Sequence, residues 1–482
     1  MTKTIHIVSG PIGSAKSRSF REWHAERIAK YGPIPLTLAT PTNNLSNEHH
    51  SRFLELGVKS HVISQEIFRS ASEEFKSQCA KRYDGVLICN NKIALNTSTD
   101  TANRILVLDE SFSPLETIKI WFKSAEDVQE LTVTDSHVDG YYEVVATPMN
   151  QSWSEDNDYK SYGKPARELD AFVKNQHHQV VIDKETFDAA ISGEEFEKKK
   201  KKGMEKVPLQ FTIFTLPTIV DAHKETIVLA ANLERTMLAL MWSRDVVFQS
   251  HKEIEDRLDY HDLSHQAVNI VLYNLPLKNL SQSFYDRLHK DMGAELFYIA
   301  YASTVATTFG HRPHIFCTNK NGDKDYDWAL ECEGFGERVM TAPHGWNSLS
   351  HHTMAVFGAA INHDPVTRHR LMAFYGITAK QAKAALCYEM VQQFIGRTAV
   401  RNKDNTSTIT VVVPDEGIAA YIQELYGCAP STPLELDLSY ERKALGRPQV
   451  NRTVEEQRTY DRERKAAQRA RNKAASAEQP SL

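Results

Sequence analysis

Short apolar runs rich in β-branched residues alternate along the chain with longer stretches in which apolar side chains return every three or four positions. In the first third, residues 4–8, 36–39, 86–89, 105–108 and 141–145 read as strands. Their apolar character is continuous enough to be covered on both faces, which is the habit of parallel sheets. Residues 18–31, with Phe20, Trp23 and Ile28, read as an amphipathic helix. The pattern resumes after residue 207, with strands at 211–214, 226–230, 270–273, 314–317, 354–358 and 408–413 and helices at 237–242 and 379–394. Interleaved strands and helices imply an α/β fold of two lobes, each a mainly parallel sheet flanked by helices.

Between the two stretches, residues 151–162 are polar and 194–206 are almost wholly charged, with five consecutive lysines at 198–202. The segment 154–206 is longer than a simple hinge and is expected to be an insertion or extended linker, with some helix at 166–172. The charge run itself reads as a solvated loop. From Glu441 to Lys473 there are eleven Lys/Arg against five Asp/Glu, too polar to bury a core, so a flexible basic tail is expected there. The expected organisation is a first lobe at 1–150, a polar linker or insertion at 151–207, a second lobe at 208–435 and the tail at 436–482.

Composition changes this picture little. The 482 residues carry 57 Lys+Arg and 62 Asp+Glu, and 41% are hydrophobic, which excludes fibrous and wholly disordered chains. No apolar run approaches the ~20 residues that span a bilayer. Near the start only Lys3 is basic and no small-residue cleavage pattern follows, so a cytoplasmic address and no membrane partner are expected. The six cysteines show no zinc or redox spacing and read as small buried residues.

Two motifs carry chemistry. Gly10-Pro11-Ile12-Gly13-Ser14-Ala15-Lys16-Ser17 lies between the first strand and the first helix. A phosphate-binding loop needs that context: main-chain N–H groups around phosphate oxygens, a helix N-terminus, a Lys for the terminal phosphates and a hydroxyl for Mg²⁺. Ala15 stands where a Gly usually precedes the Lys, and it fits cheaply only with a right-handed backbone. The second motif is the strand at 105–108 ending in Asp109 and Glu110. Asp109 would hold Mg²⁺ together with Ser17, and Glu110 would polarise an attacking water.

With these residues the sequence resembles the superfamily 2 helicases and translocases of the DEAD-like type, the Asp-Glu-x-x box taking the form Asp109-Glu110-Ser111-Phe112. Gln393-Phe394-Ile395-Gly396-Arg397-Thr398-Ala399-Val400-Arg401 is similar to the family's sixth motif, with the last Arg one residue later than usual, so either Arg397 or Arg401 is the finger on the γ-phosphate. Thr40-Pro41-Thr42, Asn90-Asn91 and Thr318-Asn319 occupy the places of nucleic-acid contacts. Pro343-His344-Gly345-Trp346-Asn347 looks like the fifth motif. The coupling motif falls either at Val133-Thr134-Asp135-Ser136 or at Val145-Ala146-Thr147. No adenine-reading Gln precedes the first strand, so base recognition is expected from elsewhere.

The resemblance implies two RecA-like domains, ATP and Mg²⁺ as cofactors, and a helicase or translocase acting on nucleic acid, DNA rather than RNA. Gly10, Gly13, Ser14, Ala15, Lys16, Ser17 and Asp109 would bind the nucleotide and its metal, and Glu110, Gln393, Arg397 and Arg401 would act in hydrolysis. The compact motif set and Arg-rich tail look similar to proteins that replicate phages and mobile elements, with replication proteins as partners. Two alternatives remain open: an ATPase that remodels protein on nucleic acid without unwinding, and a noncatalytic nucleic-acid-binding protein, for which Ala15 is the hint. His261 and His265 lack a third ligand at zinc spacing, and no Gly-x-Ser-x-Gly elbow is present.

Overall fold

Five apolar runs open the chain as strands β1 (Lys3–Ser9), β2 (Leu36–Thr40), β3 (Ser60–Ile63), β4 (Val86–Asn90) and β5 (Ile105–Asp109). Every residue of β2 and β5 is buried, as central strands covered on both faces must be. The computed structural model describes residues 3–147, 163–200, 203–204, 206–273, 281, 294–319, 335–341 and 348–435. After Asp109 the chain leaves this sheet to build another from β6 (Leu115–Phe122), β7 (Thr132–Asp135), β8 (Tyr141–Ala146), β9 (His178–Asp183) and β10 (Val207–Thr215). It then returns with β11 (Glu225–Ala230), which slots between β1 and β5, and β12 (Val246–Ser250), which adds beyond β1. The first sheet therefore runs β12-β1-β11-β5-β2-β4-β3, with every neighbouring pair parallel.

The remaining strands, β13 (Val268–Tyr273), β14 (His314–Cys317), β15 (Gly336–Arg338), β16 (Met354–Phe357), β17 (Ile409–Val413) and β18 (Thr432–Leu434), form a second parallel sheet ordered β15-β14-β16-β17-β13-β18. The helix Glu389–Ile395 packs Val391, Phe394 and Ile395 into its core. Two parallel sheets flanked by helices match the expected fold class. Residues 1–436 make one compact unit, and the basic tail beyond it lies outside the described residues. Within the described residues no helix is long and apolar enough to cross a membrane.

The inserted sheet was not expected. It runs β6-β10-β9-β8-β7, antiparallel throughout, and β6 shows the alternating burial of a strand with one wet face. Ile118, Ile120, Phe211 and Val180 pack against Leu169 of the helix Gly163–Val173 and Phe187 of the helix Lys184–Ile191. Residues 141–145 and 211–214, expected in parallel sheets, belong to this antiparallel one. Residues 226–230, expected in the second lobe, lie at the centre of the first sheet. Residues 163–200, expected as an insertion or extended linker, build part of this insert, and Glu194–Lys200, expected as a solvated loop, is a short helix with a Lys198–Glu194 pair one turn apart. An apolar run shows that a strand is buried but not which strand lies beside it.

Arg370 ties the insert to the second sheet. It sits on the helix Pro365–Tyr375 that follows β16, is 1% exposed, and donates to Gln210 O at 2.9 Å, Thr212 Oγ1 at 2.8 Å and the Asp183 carboxylate. Leu371 and Phe374 of that helix share a core with Tyr141 and Phe214 of the insert. Arg370→Ala strands three acceptors and should lower the unfolding free energy by about 2–3 kcal/mol, with Arg370→Lys in between. Urea denaturation measures this, and a loss under about 0.5 kcal/mol, as for an ordinary surface change, would mean that the guanidinium is not the tie.

Candidate nucleotide site

Because the strands of the first sheet are parallel, the segments after β1, β5 and β11 emerge along one edge, where ligands of open α/β sheets bind. The turn after β1 runs through Gly10–Ala15 into the helix Lys16–Tyr31. Gly10 N donates to Ala230 O, and Ser14, fully buried, donates its hydroxyl to Pro11 O at 2.8 Å, which folds the loop on itself. Gly13 has φ 83°, and a Cβ there would fall 2.7 Å from the Arg401 carbonyl oxygen. At Gly396 a Cβ would collide with Ile12. These two glycines let the arginine-bearing turn of the second sheet rest directly on the loop.

The result is a cleft of about 240 Å³. Lys16, Ser17, Asp109 and Glu110 line it from the first sheet, and Gln393, Arg397 and Arg401 line it from the second. The nucleotide-site residues expected from positions 13–17, 109–110 and 393–401 are thus brought together, apart from Ser14, which like Gly10 shapes the loop from behind. With Arg18, Arg21 and Glu48 added, five cations face three carboxylates, a balance suited to a polyphosphate.

The charged groups are held by specific partners. Lys16 Nζ donates to Gly10 O and Pro11 O, both at 2.7 Å. Burial pulls its pKa down to about 8, against the opposing pull of Glu110 and Asp109. Ser17 Oγ donates to Asp109 Oδ1 at 2.8 Å, so the hydroxyl and carboxylate expected to share Mg²⁺ already face each other. The donor set fits a hard cation that keeps waters and phosphate oxygens as its other ligands. Arg397 is 4% exposed; one terminal nitrogen donates to Gln393 Oε1 at 3.3 Å, while its Nε has no partner. Burial lowers its pKa to about 10, with Glu110 opposing. A buried guanidinium with an unused donor favours an arriving anion.

Sequence reasoning missed a second layer. His49 Nε2 lies 2.6 Å from Asp109 Oδ2, and Arg21 NH1 lies 3.1 Å from His49 Nδ1. A guanidinium can only donate, so the Arg21 contact suits a His49 ring that accepts at Nδ1 and turns Nε2 toward the carboxylate. Burial would raise the Asp109 pKa, but His49, Ser17 and Arg21 together hold it below its usual value. His49 and Arg21 lie on helices, with no motif spacing to mark them. Also missed was Asn232, just past β11, whose Nδ2 donates to Gln392 Oε1 at 2.9 Å and so links the first sheet's edge to the arginine helix, Glu389–Ile395, which leads into the turn with both arginines. Both stretches expected to hold the coupling motif, at 133–136 and 145–147, fall on or beside β7 and β8 of the insert instead.

The expected nucleic-acid contacts divide. Thr40 is fully buried, its hydroxyl 2.7 Å from that of Ser46, which leaves a strand only Pro41 and Thr42. Thr42 and Asn90 cap the helices Asn43–Glu55 and Asn91–Asn96. Thr318 is buried, and Asn319 donates to Ala360 O at 3.1 Å, tying the ends of β14 and β16. Residues 343–347, the expected fifth motif, lie outside the described residues.

No protein-family model and no characterised protein matches the sequence. Among solved structures the chain is similar to S. cerevisiae Dbp5 bound to RNA and ADP BeF3, with 11% identity, 90% of this chain and 86% of that chain covered and a TM-score of 0.35. It is also similar to the DUF1998 helicase MrfA bound to DNA and AMPPNP, with 9% identity, 89% of this chain and 49% of that one covered and a TM-score of 0.32. Both similarities are distant.

Ala15 has φ 68° and ψ 25°, the left-handed conformation in which an L side chain costs roughly 1–2 kcal/mol. Ala15→Gly should therefore raise stability by about 1 kcal/mol in chemical denaturation, and no gain would show that the loop does not hold this conformation in solution. Lys16 supplies a second expectation. Phosphate oxygens would raise its pKa from about 8, so nucleotide binding above that pH takes up a proton and weakens as the pH rises. Calorimetry in two buffers of different ionisation heat measures the uptake, and proton-neutral binding at alkaline pH would exclude Lys16 as the phosphate ligand.

Proposed function

We propose that this chain is an ATP-dependent helicase or translocase whose hydrolytic site is the cleft between the two parallel sheets. The observation that carries this reading is that Gln393, Arg397 and Arg401 line the same cleft as Lys16, Ser17, Asp109 and Glu110. Lys16 and the main chain of Gly13–Ser17 would hold the phosphates, and Ser17 with Asp109 would hold Mg²⁺. When bound, Mg²⁺ would neutralise charge on the phosphate oxygens. Glu110 would accept the proton of the attacking water, and its turn has φ 84°, a strained setting of the sort found at working sites. Arg397 or Arg401 would stabilise charge on the γ-phosphate from the opposite sheet, so the site is complete only when the two are together.

Movement along a strand would follow from opening and closing that junction, with Pro41, Thr42 and Asn91 at the first sheet's edge as contacts. DNA as the track and a role in replicating a phage or mobile element are supported by sequence resemblance alone, and a cytoplasmic setting by the lack of a signal-peptide pattern near the start. The left-handed Ala15 favours the second reading, a nucleic-acid-binding protein whose phosphate loop has lost turnover.

Steady-state ATP turnover of the purified chain, alone and with single-stranded DNA, duplex DNA and RNA, separates these readings. A motor is stimulated by one of them. Lys16→Ala should abolish turnover, Glu110→Gln should bind ATP and leave it unhydrolysed, and Arg397→Ala should cut turnover by about 10³-fold or more. No turnover above the Lys16→Ala background with any nucleic acid would leave the binding-protein reading. Parental turnover in Glu110→Gln would remove Glu110 as the base.

A further inference from the structure

A second cavity, of about 710 Å³, lies in the seam where the inserted sheet meets the flank of the first sheet, away from the cleft. The helix Gly163–Val173 and the segment 174–178 wall it from the insert, while residues 92–101 and 219–223 wall it from the other side. Its size is that of a ligand pocket.

The floor and rim differ in chemistry. On the floor His223 is 8% exposed and Thr101 3% exposed, and neither His223 ring nitrogen nor the Thr101 hydroxyl has a partner. Buried polar groups left unsatisfied are costly and favour a ligand that can pair with them. Burial holds the His223 pKa down to about 4, with Lys3 and Arg104 adding to the effect, so the ring is neutral and offers one donor and one acceptor. One wall is aromatic: Phe172 meets His178 edge-on at 4.8 Å, and Asn96 and Thr215 fix that ring with contacts of 3.0 and 3.1 Å. The rim carries Lys92, Lys164, Arg167 and Lys174, of which Lys174 is neutralised by Asp170 at 2.7 Å. Lys92 and Lys164 share the single carboxylate of Glu168 at 3.8 and 3.9 Å, and Arg167 pairs with no carboxylate among the described residues.

We propose that this cavity holds one nucleotide unit, its base against the neutral polar floor and aromatic wall and its phosphate at the cationic rim. The same chemistry is offered by an unpaired nucleotide of a strand and by a free nucleotide. The strand is favoured by position: the wall helix Asn91–Asn96 starts from Asn90 at the first sheet's carboxyl edge, so a strand crossing that edge reaches the rim at Lys92. The insert would then add a grip of its own. The proposal stands apart from ATP hydrolysis, which Lys16→Ala tests independently.

The test uses the full chain and two probes, a fluorescein-labelled single-stranded oligonucleotide and nucleoside monophosphates, which lack the terminal phosphates that Lys16 would hold. Ala171 is exposed and lines the cavity, so Ala171→Trp fills it without disturbing the core; Lys164→Glu with Arg167→Glu reverses the rim. Basal ATP turnover and far-UV circular dichroism should be parental in both. Ala171→Trp should weaken binding by roughly tenfold or more, as for loss of one stacked base, and the rim pair should weaken it as well. A loss confined to the oligonucleotide identifies a unit of a strand, and a loss confined to monophosphates identifies a free nucleotide. Parental affinity of Ala171→Trp for both probes overturns the proposal, even if the rim pair is weakened, because the lysines and arginine are then only a surface patch.

Discussion

The contact between the Arg401 main chain and Gly13 is the constraint on which the rest of the site depends. It places one lobe's backbone against the Gly10–Ser17 turn of the other, at a distance no side chain at position 13 would allow. Tyr260 reinforces it by donating to Ile12 O at 2.8 Å, and Asp259 N donates to Ser14 O at 3.1 Å, so the connection between the two parallel sheets also runs over the loop. The consequence is electrostatic. Lys16, Arg397 and Arg401 are all drawn out of water, and burial lowers the pKa of each. Desolvated cations gathered around a small cleft are stabilised by an anion that can meet several of them at once.

Strain collects in the same place. Of the four described non-glycine residues with positive φ, Ala15, Glu110 and Asn232 follow β1, β5 and β11, three adjacent strands of the first sheet. Each lies at the edge where a phosphate group, a water or the arginine helix would be met. Left-handed backbone at such residues persists only where surrounding structure fixes it, as Leu229 O does by accepting from Glu110 N at 2.9 Å. The Arg21–His49–Asp109 chain plays a comparable part for side chains. Hydrogen bonds to both Asp109 oxygens leave that carboxylate little freedom to turn.

The inserted antiparallel sheet gives the molecule a third layer that contacts both others. Arg370 fastens it to the second sheet, and its core merges with that of the first through Tyr141, Val181 and Phe214. Because β11 follows the insert in the chain, the strand carrying Asn232 toward the arginine helix is connected through it.

The sequence by itself determined which short motifs meet at the cleft: the Gly-rich turn ahead of Lys16-Ser17, the carboxylates at the end of β5, and the Gln393–Arg401 turn with its two arginines. These were legible because each is a short motif whose function depends on neighbours in the chain. It also determined that apolar runs would become buried strands, as 36–39, 86–89 and 105–108 did. Only the tertiary structure decided that residues 225–230 belong between β1 and β5, that 115–215 form a separate antiparallel sheet, and that His49, Arg21 and Asn232 reach the site. Strand order and helix packing are set by which surfaces bury one another at long range, and a hydrophobic pattern records that a surface is buried without recording against what.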